Sequence, residues 1–344
     1  MKILIHQRNN KIQHSTVWNN PWIEYCKKSN LGYEVIDLFQ IESIDVIRKF
    51  DVLLWHFGGY VFEDMLEARS LLNVAESLGL KVFPGFKENW HFDDKIAEMY
   101  ALQSVNAPIP ASKVFYDIET FNNWLRNNTE FPVVAKLRTG SGSHNVKLFK
   151  HKSALQRYAS RMFGRGYDPS PSLLYKTSSN IRSSHNKATF ISKFKRIPEF
   201  LFILKNAKKF PNEKGYVYLQ EFVPNDGYDM KVVVVGDKLS GVVRPVRSHD
   251  FRASGGGEVF FDKKYFTKEI IQSAFRITDE LGMQCIGYDY VVNKQTGEAL
   301  IVEMSYGFSH MAILSAQGYF DRDCVWHDEP LNVPFEILEN IIKK

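Results

Sequence analysis

The first 115 residues alternate short apolar runs with longer stretches of helical spacing. The runs KILIH, YEVIDL and DVLLWH have the length and composition of strands. Between 62 and 80, apolar residues recur at the intervals that place them on one face of a helix. Such alternation is typical of a parallel sheet covered by helices. We therefore expect an α/β unit in this part of the chain.

The segment FPVVAKLRTGSGSHNVKLF, residues 131–149, predicts two strands joined by a polar tip with two glycines. Lys136 alternates with apolar residues on the first strand, and an unpaired buried ammonium group would cost several kcal/mol. A dinucleotide fingerprint needs a helix after its glycines, whereas this tip has strands on both sides. A glycine-rich hairpin can instead place backbone N–H groups over phosphates, because glycine permits close approach. A plain surface hairpin is the alternative.

Two carboxylates follow in the segment GYDYVVNKQTGEALIVEMS. Asp289 and Glu303 lie on successive predicted strands, and a turn near residues 294–297 would bring the two side chains together. Paired carboxylates suit Mg²⁺, which prefers oxygen ligands and is also held by substrate phosphates. Two solvated acids are the equally weighted alternative. Residues 220–223 precede a Pro-Asn-Asp-Gly turn and either offer backbone hydrogen bonds to an adenine edge or simply end a strand.

Composition indicates a globular protein: 44% of the 344 residues are hydrophobic and 14% are aromatic. Three scattered cysteines argue against a disulfide framework or a zinc site. Neither a signal peptide nor an apolar run long enough for a membrane span is found, so we expect a cytoplasmic protein.

The positive charge is concentrated in one segment. Residues 151–210 contain 13 Lys/Arg and two acids, a net charge of +11, which leaves −6 for the rest of a chain whose total is +5. The segment also contains a Ser- and Pro-rich stretch at 165–187, which predicts a loop, and an aromatic stretch at 190–209, which predicts a helix. No nucleic-acid motif accompanies this charge, so nucleic acid is not an expected partner.

The ordered set of motifs resembles the ATP-grasp superfamily of carboxylate–amine ligases. The chain is most similar to the branch with the ribosomal-protein glutamate ligases and the lysine-biosynthesis carrier-protein ligases. The similarity covers about residues 90–310. The motifs are, in family order, DDKIAEMYALQSVNAPIPAS, PVVAK, TGSGSHNV, LQEFV, DMKVVVVGDKL, RPVRSHDFRASGGG and the two carboxylate strands.

The resemblance implies a role for each matching position. The residues implied to bind ATP are Lys95, Lys136, Gly140, Ser141, Gly142, Ser143, Gln220, Glu221, Phe222, Val223 and Asp229. Those implied to act on the transferred phosphate or the acceptor are Lys231, Arg244 and Arg252. The implied ligands of Mg²⁺, or of Mn²⁺ in its place, are Asp289, Glu303 and Ser305.

The resemblance also implies an architecture. It predicts an N-terminal Rossmann-like α/β unit (1–92) and an ATP-grasp fold of two α+β subdomains. The first subdomain spans 93–219 and includes the basic insertion at about 151–210, and the second spans 220–344 and carries the metal site. A homodimer is one option for its assembly.

The implied reaction is amide formation through an acyl phosphate, with a small-molecule or glycan carboxylate and an amine or amino acid as substrates. Cell-surface polysaccharide modification is one guess for its setting. Two alternatives stay open: a kinase on the same fold, or a catalytically weak nucleotide-binding relative that docks a polyanion.

Two positions and one inserted segment depart from the family pattern. Ser305 replaces the usual asparagine, which puts a second metal ion in question, and Lys231 replaces the usual arginine. The basic insertion, about 60 residues, is longer than the branch leads us to expect.

Overall fold

The computed structural model describes residues 1–8, 18–40, 42–59, 61–128, 130–140, 145–169, 205, 208–246 and 259–343. Most of the predicted 190–209 helix and the greater part of the basic segment lie outside these residues. Within the described residues, the strands form three sheets.

The first sheet is parallel throughout, as the alternating pattern predicts. Its strands lie in the order β2-β1-β3-β4. The strands are β1 (Lys2–His6), β2 (Gly32–Ile36), β3 (Val52–Leu54) and β4 (Lys81–Phe83). The helices of this unit are α1 (Asn19–Lys28), α2 (Ser43–Ile47), α3 (Phe62–Ser77) and α4 (Phe86–Asn89). Strand β1 is apolar because helices cover the sheet, and four of its five residues are buried.

The second sheet is antiparallel and contains the glycine-containing hairpin. Its strands are β5 (Ser112–Phe115), β6 (Val133–Lys136), β7 (Val146–Phe149) and β8 (Val217–Glu221), in the order β5-β8-β6-β7. Its helices are α5 (Lys95–Ser104), α6 (Ile118–Asn127) and α7 (Lys152–Met162). All four residues of β6 are buried, so Lys136 is enclosed and not on a solvated face.

The third sheet carries the predicted carboxylate strands. Its strands are β9 (Tyr228–Val235), β10 (Lys238–Pro245), β11 (Cys285–Val292), β12 (Ala299–Ser305), β13 (Tyr319–Phe320) and β14 (Trp326–His327). Their order is β12-β11-β9-β10-β13-β14, with every described pairing antiparallel. Helix α8 (Lys268–Leu281) crosses this sheet and ends at Gly282, whose φ of +67° is a left-handed value that glycine adopts without a Cβ clash.

The first and third sheets share one apolar core. Buried residues of β1, β3, β9 and β11 belong to a single cluster, whereas the second sheet has its own. Two short helices complete the third unit: α9 (His310–Leu314) and α10 (Val333–Lys343). Helix α10 packs on α1, where the Trp22 indole N–H donates to the Pro334 carbonyl at 3.1 Å. No helix in the described part of the chain is long and apolar enough to cross a membrane.

Candidate functional site

Lys136 reaches across from the second sheet to the third. Its ammonium group donates to the carbonyl of Val302 at 2.8 Å. The register pairs Asp289 with Glu303 and Tyr290 with Ile301, so Val302 is the extra residue of a β-bulge. A bulged residue is left out of the strand ladder, which leaves its carbonyl available to another donor. The bulge therefore gives the buried lysine a neutral partner.

Several charges act on the Lys136 ammonium group. Burial lowers the pKa of Lys136 to about 8; the Glu303 carboxylate raises it and the charge of Lys95 lowers it further. A hydrogen bond to a carbonyl satisfies one donor but does not neutralise the charge. Lys136 therefore lacks a full counter-charge within the described contacts, and a phosphate group would supply one.

Lys95 is the first residue of α5 and lies against the start of the hairpin tip. Its backbone N–H donates to the Arg138 carbonyl at 2.9 Å, and its ammonium group donates to the Gly140 carbonyl at 2.6 Å. Burial would lower the pKa of Lys95, but the carboxylates of Glu303, Glu98 and Asp93 raise it above its ordinary value. This lysine therefore keeps its charge while buried.

Asp93 holds the same glycine from the other side. The Gly140 N–H donates to the Asp93 carboxylate at 2.9 Å. Burial raises the pKa of Asp93 to about 6, although Lys95 lowers it. Residue 140 is thus bound through both its N–H and its carbonyl. The predicted phosphate-binding residues Ser141, Gly142 and Ser143 follow it directly and lie outside the described residues.

A small pocket lies between α5, β8 and β12, with a cavity volume of about 10 Å³. Its lining residues are Lys95, Glu98, Met99, Leu102, Ile109, Tyr218, Gln220, Ile301, Val302 and Glu303. Ligand pockets usually measure about 300–1,000 Å³, so a nucleotide would have to widen this one. The lysine bonds to Gly140 and Val302 are the contacts that would have to open.

The predicted adenine linker leads from β8 toward β9. Gln220 is buried and its side-chain amide donates to the Ser112 hydroxyl at 3.2 Å. The Glu221 N–H donates to the Ala111 carbonyl at 2.8 Å. Val223 is buried and Phe222 is half-buried. The linker therefore borders the pocket through Gln220, while the Glu221 side chain is exposed.

The carboxylates of the third sheet lie in one row with a lysine. Asp289 is opposite Glu303 on β12 and opposite Lys231 on β9. The Lys231 ammonium group forms an ion pair with one Asp289 oxygen, and Arg244 contacts the other at 2.8 Å. Burial would raise the pKa of the Asp289 carboxyl, but Arg244 and Lys231 hold it below its ordinary value.

Arg244 joins a second carboxylate to this row. Its Nε and Nη2 atoms donate to the two oxygens of Asp229 at 2.6 and 2.8 Å, a bidentate pair. Burial raises the pKa of Asp229 to about 6, while Arg244 lowers it. The predicted acceptor-binding arginine thus contacts two carboxylates of its own chain. Arg252, the other predicted arginine, lies outside the described residues.

Ser305, the third predicted metal ligand, is at the end of β12. Its hydroxyl accepts a hydrogen bond from the Gly307 N–H at 3.0 Å. A hydroxyl oxygen has two acceptor lone pairs, so one remains for another partner. The register places Ser305 opposite Gly287, two positions from the Asp289–Glu303 pair.

Solved structures with similar folds cover almost the whole chain. An ATP-grasp RimK domain protein from Sphaerobacter thermophilus is 15% identical over 99% of this chain and 100% of its own, with a TM-score of 0.55. A D-alanine–D-alanine ligase from Bacillus anthracis, complexed with ATP, is 13% identical over 99% of this chain and 95% of its own, with a TM-score of 0.55. D-cycloserine synthetase DcsG is 12% identical over 99% and 100% of the two chains, with a TM-score of 0.58. The chain has the ATP-grasp fold.

The sequence matches no protein-family model and no curated protein. At these identities the likeness to solved structures concerns the fold. The predicted fold class, an α/β unit followed by an ATP-grasp fold, is therefore confirmed.

Two buried acidic residues near Lys95 were missed by sequence reasoning. Glu98 lies one turn after Lys95, and burial together with the charge of Glu303 raises its pKa well above the ordinary value. Asp93 immediately precedes the helix cap. The spacing of three residues between Lys95 and Glu98 is the signal that could have indicated a shared helix face. Nothing in the sequence indicates the bulge at Val302, because it depends on strand register.

Proposed function

We propose that this protein is an ATP-dependent ligase that joins a carboxylate to an amine through an acyl phosphate. The observation that carries the proposal is the meeting of Lys95, Lys136 and Glu303 in an ATP-grasp fold: Lys95 and Glu303 line one pocket, and Lys136 donates to the carbonyl of a third lining residue. Buried ammonium groups need anionic partners, and a triphosphate supplies several negative charges at once. Structures of a ligase and a synthetase among the similar folds support the reaction class.

The two lysines would exchange backbone carbonyls for phosphate oxygens. Charge-assisted hydrogen bonds are about twice as strong as neutral ones, so this exchange favours nucleotide binding. Gly140 and the residues after it would cover the phosphates, and the linker from Gln220 to Val223 would meet the adenine edge with its backbone. Asp229, on β9 after this linker, orients Arg244 through its bidentate contact.

The donor set fits one divalent ion better than two. Glu303 forms no ion pair within 4.0 Å among the described residues, whereas both oxygens of Asp289 already contact cations. Glu303 would hold Mg²⁺ together with the nucleotide phosphates, and the free lone pair of Ser305 is a further donor nearby. Mg²⁺ bound there would offset the charge that develops on the transferred phosphoryl group.

In the proposed reaction a substrate carboxylate oxygen attacks the γ-phosphorus, and the bond to the bridging oxygen breaks to release ADP. The amine nitrogen then attacks the acyl carbon, loses a proton and displaces inorganic phosphate. Lys95 and Lys136 would stabilise the transferring group, while Arg244 and Arg252 would orient the acid. Water has to be excluded, because an acyl phosphate hydrolyses.

For the substrate we propose an acidic acceptor, such as a uronic-acid glycan or an acidic peptide. The net charge of +11 between residues 151 and 210 supports this choice. We further place the chain near the branch of amino-acid ligases, on the motifs DMKVVVVG and DFRASGGG, and in the cytoplasm, where ATP is abundant.

Mass spectrometry of a carboxylate and amine library incubated with protein and MgATP tests the proposal. We expect ADP, phosphate and one new product lighter than its two substrates together by one water. With amine omitted, added hydroxylamine should trap the activated acid as a hydroxamate. A stable phosphorylated product that resists hydroxylamine would establish a kinase, and absence of any turnover would favour a nucleotide-binding relative without activity.

A further inference from the structure

The row that contains Asp289 already includes a cation. Lys231, Asp289 and Glu303 are direct neighbours across β9, β11 and β12. Directly opposed residues of an antiparallel sheet have Cβ atoms about 4.5–5.5 Å apart, so these three side chains leave the sheet side by side. The two carboxylates would usually be regarded as a site for two divalent ions in phosphoryl transfer.

Both oxygens of Asp289 are engaged. One contacts the Lys231 ammonium group and the other contacts Arg244 at 2.8 Å. The Lys231 side chain is 12% exposed and that of Asp289 is 7% exposed, so the pair is shielded from water. A metal ion bound directly to Asp289 would either displace the lysine from a buried ion pair or lie beside both Lys231 and Arg244, and the repulsion between these buried positive charges disfavours it.

The sequence around β11 allows the lysine to take this position. A Cβ atom placed on Gly287 would lie 3.2 Å from the Cδ of Lys231 and 3.1 Å from the Phe308 ring. The lysine chain therefore passes over a glycine, and a side chain at that position would require the lysine or the Phe308 ring to shift by a few tenths of an ångström. This close packing helps to fix the path of the Lys231 side chain beside Asp289.

We propose that the Lys231 ammonium group occupies the cation position beside Asp289, so that the nucleotide-bound protein holds one divalent ion, at Glu303, instead of two. The inference rests on the proposed nucleotide site and assigns Lys231 a role there as a fixed positive charge. An ammonium group can offset negative charge on the phosphates as a metal ion does. Because it belongs to the protein, it does not have to be bound from solution.

Counting bound Mn²⁺ tests this proposal without any turnover. Protein saturated with the non-hydrolysable analogue adenylyl imidodiphosphate is titrated with Mn²⁺, and free Mn²⁺ is measured by electron paramagnetic resonance. We expect one bound Mn²⁺ per nucleotide complex in the wild type and two in Lys231→Gln, in which Asp289 loses its lysine. Lys231→Arg, which keeps the charge, should bind one.

Lys238→Gln is the matched control, because Lys238 also belongs to an ion pair on this sheet, with Glu336 at 2.7 Å, away from the row. It should bind one Mn²⁺. Two ions in the wild type, or one in a folded Lys231→Gln, would overturn the inference and leave the nucleotide site standing. The number of Mn²⁺ ions bound by the wild type tests the proposal even if Lys231→Gln does not fold. If equilibrium dialysis shows that the analogue itself does not bind, the proposed function fails and this inference fails with it.

Discussion

Lys136 is the residue of the proposed nucleotide site with the most distinctive surroundings. The sequence placed it on a strand beside a glycine-containing tip, and the structure encloses it between two sheets with a carbonyl partner. Because burial lowers the pKa of Lys136, the affinity for the nucleotide should depend on pH. Phosphate oxygens favour the protonated ammonium group, so nucleotide binding should pull a proton onto Lys136.

We therefore expect MgATP affinity to fall as pH rises above about 8, because the free protein then loses the Lys136 proton that the complex retains. Calorimetry at pH 8 in two buffers of different ionisation enthalpy should show uptake of about half a proton. Lys136→Met should bind MgATP at least tenfold more weakly, since a charge-assisted bond contributes about 1.5–3 kcal/mol, and should lose the pH dependence.

Lys113→Met provides the control for this variant, because Lys113 is an exposed lysine on β5 of the same sheet. Its affinity and proton uptake should match those of the wild type. Unchanged affinity in a folded Lys136→Met would place the nucleotide elsewhere.

Glu88 is a buried acid that the sequence did not single out. Its side chain is fully buried in α4 and accepts a hydrogen bond from the Gln284 N–H, and burial raises its pKa from 4.5 to about 7. The unfolded chain releases this proton first, so the free energy of unfolding should decrease as pH rises from about 4.5 to 7. Above pH 7 Glu88 is ionised in both states, so the free energy of unfolding should fall no further on its account.

Glu88→Gln cannot ionise and should lack this decrease. At pH 8 we expect it to be more stable than the wild type by about 2–3 kcal/mol, and at pH 4 to differ little. Urea denaturation at the two pH values measures the difference. The exposed Glu67→Gln on α3 should change neither value, and parallel pH profiles for Glu88→Gln and wild type would contradict the argument.

At the scale of elements, α5 positions Lys95, the first lysine of the proposed phosphate site. Asp94 caps the helix by accepting from the N–H groups of Ile96 at 3.2 Å and Ala97 at 3.1 Å. We expect Asp94→Ala to lower the free energy of unfolding by about 1 kcal/mol, the usual value of such a cap. Asp94→Asn can accept the same bonds and should lose much less. Equal losses in the two variants, measured by urea denaturation, would show that the carboxylate charge matters and not the cap.

Long strands with apolar runs were predictable and very short elements were not. Strands β9 to β12 carry eight, eight, eight and seven residues, and their apolar runs were visible in the sequence. Strands β13 and β14 have two residues each and exist through pairing with distant partners, such as Phe320 with Leu239. Helix α4 has four residues, too few for a periodic pattern.

For the whole molecule, one apolar core links the first and third sheets, so the ends of the chain lie together. The Lys81 ammonium group donates to the Ile341 carbonyl at 3.1 Å, and α10 packs on α1. This arrangement could not be predicted, because neither helix carries a signal for its partner. The ATP-grasp fold was predictable from the order of the motifs, whereas the acids around Lys95 depended on tertiary packing.

The uneven charge of the molecule gives a prediction about its acceptor. Replacing Lys193, Lys195 and Arg196 with Ala should raise the KM for an acidic acceptor and reduce its salt dependence, while MgATP affinity stays the same. Steady-state kinetics at two salt concentrations measures both effects. Replacing the exposed lysines Lys27, Lys28 and Lys49 removes the same charge elsewhere and should have no effect. If the two triple variants behave alike, the basic segment does not contact the acceptor.

The fate of the substrate carboxylate oxygen tests the central claim most directly. With the acid from the library labelled with ¹⁸O in its carboxylate, an acyl phosphate requires one carboxylate oxygen to leave with the phosphate during amide formation. We predict inorganic phosphate that carries one ¹⁸O atom, in an amount equal to the amide formed. Amide accompanied by unlabelled phosphate would contradict activation of the carboxylate by ATP at this site.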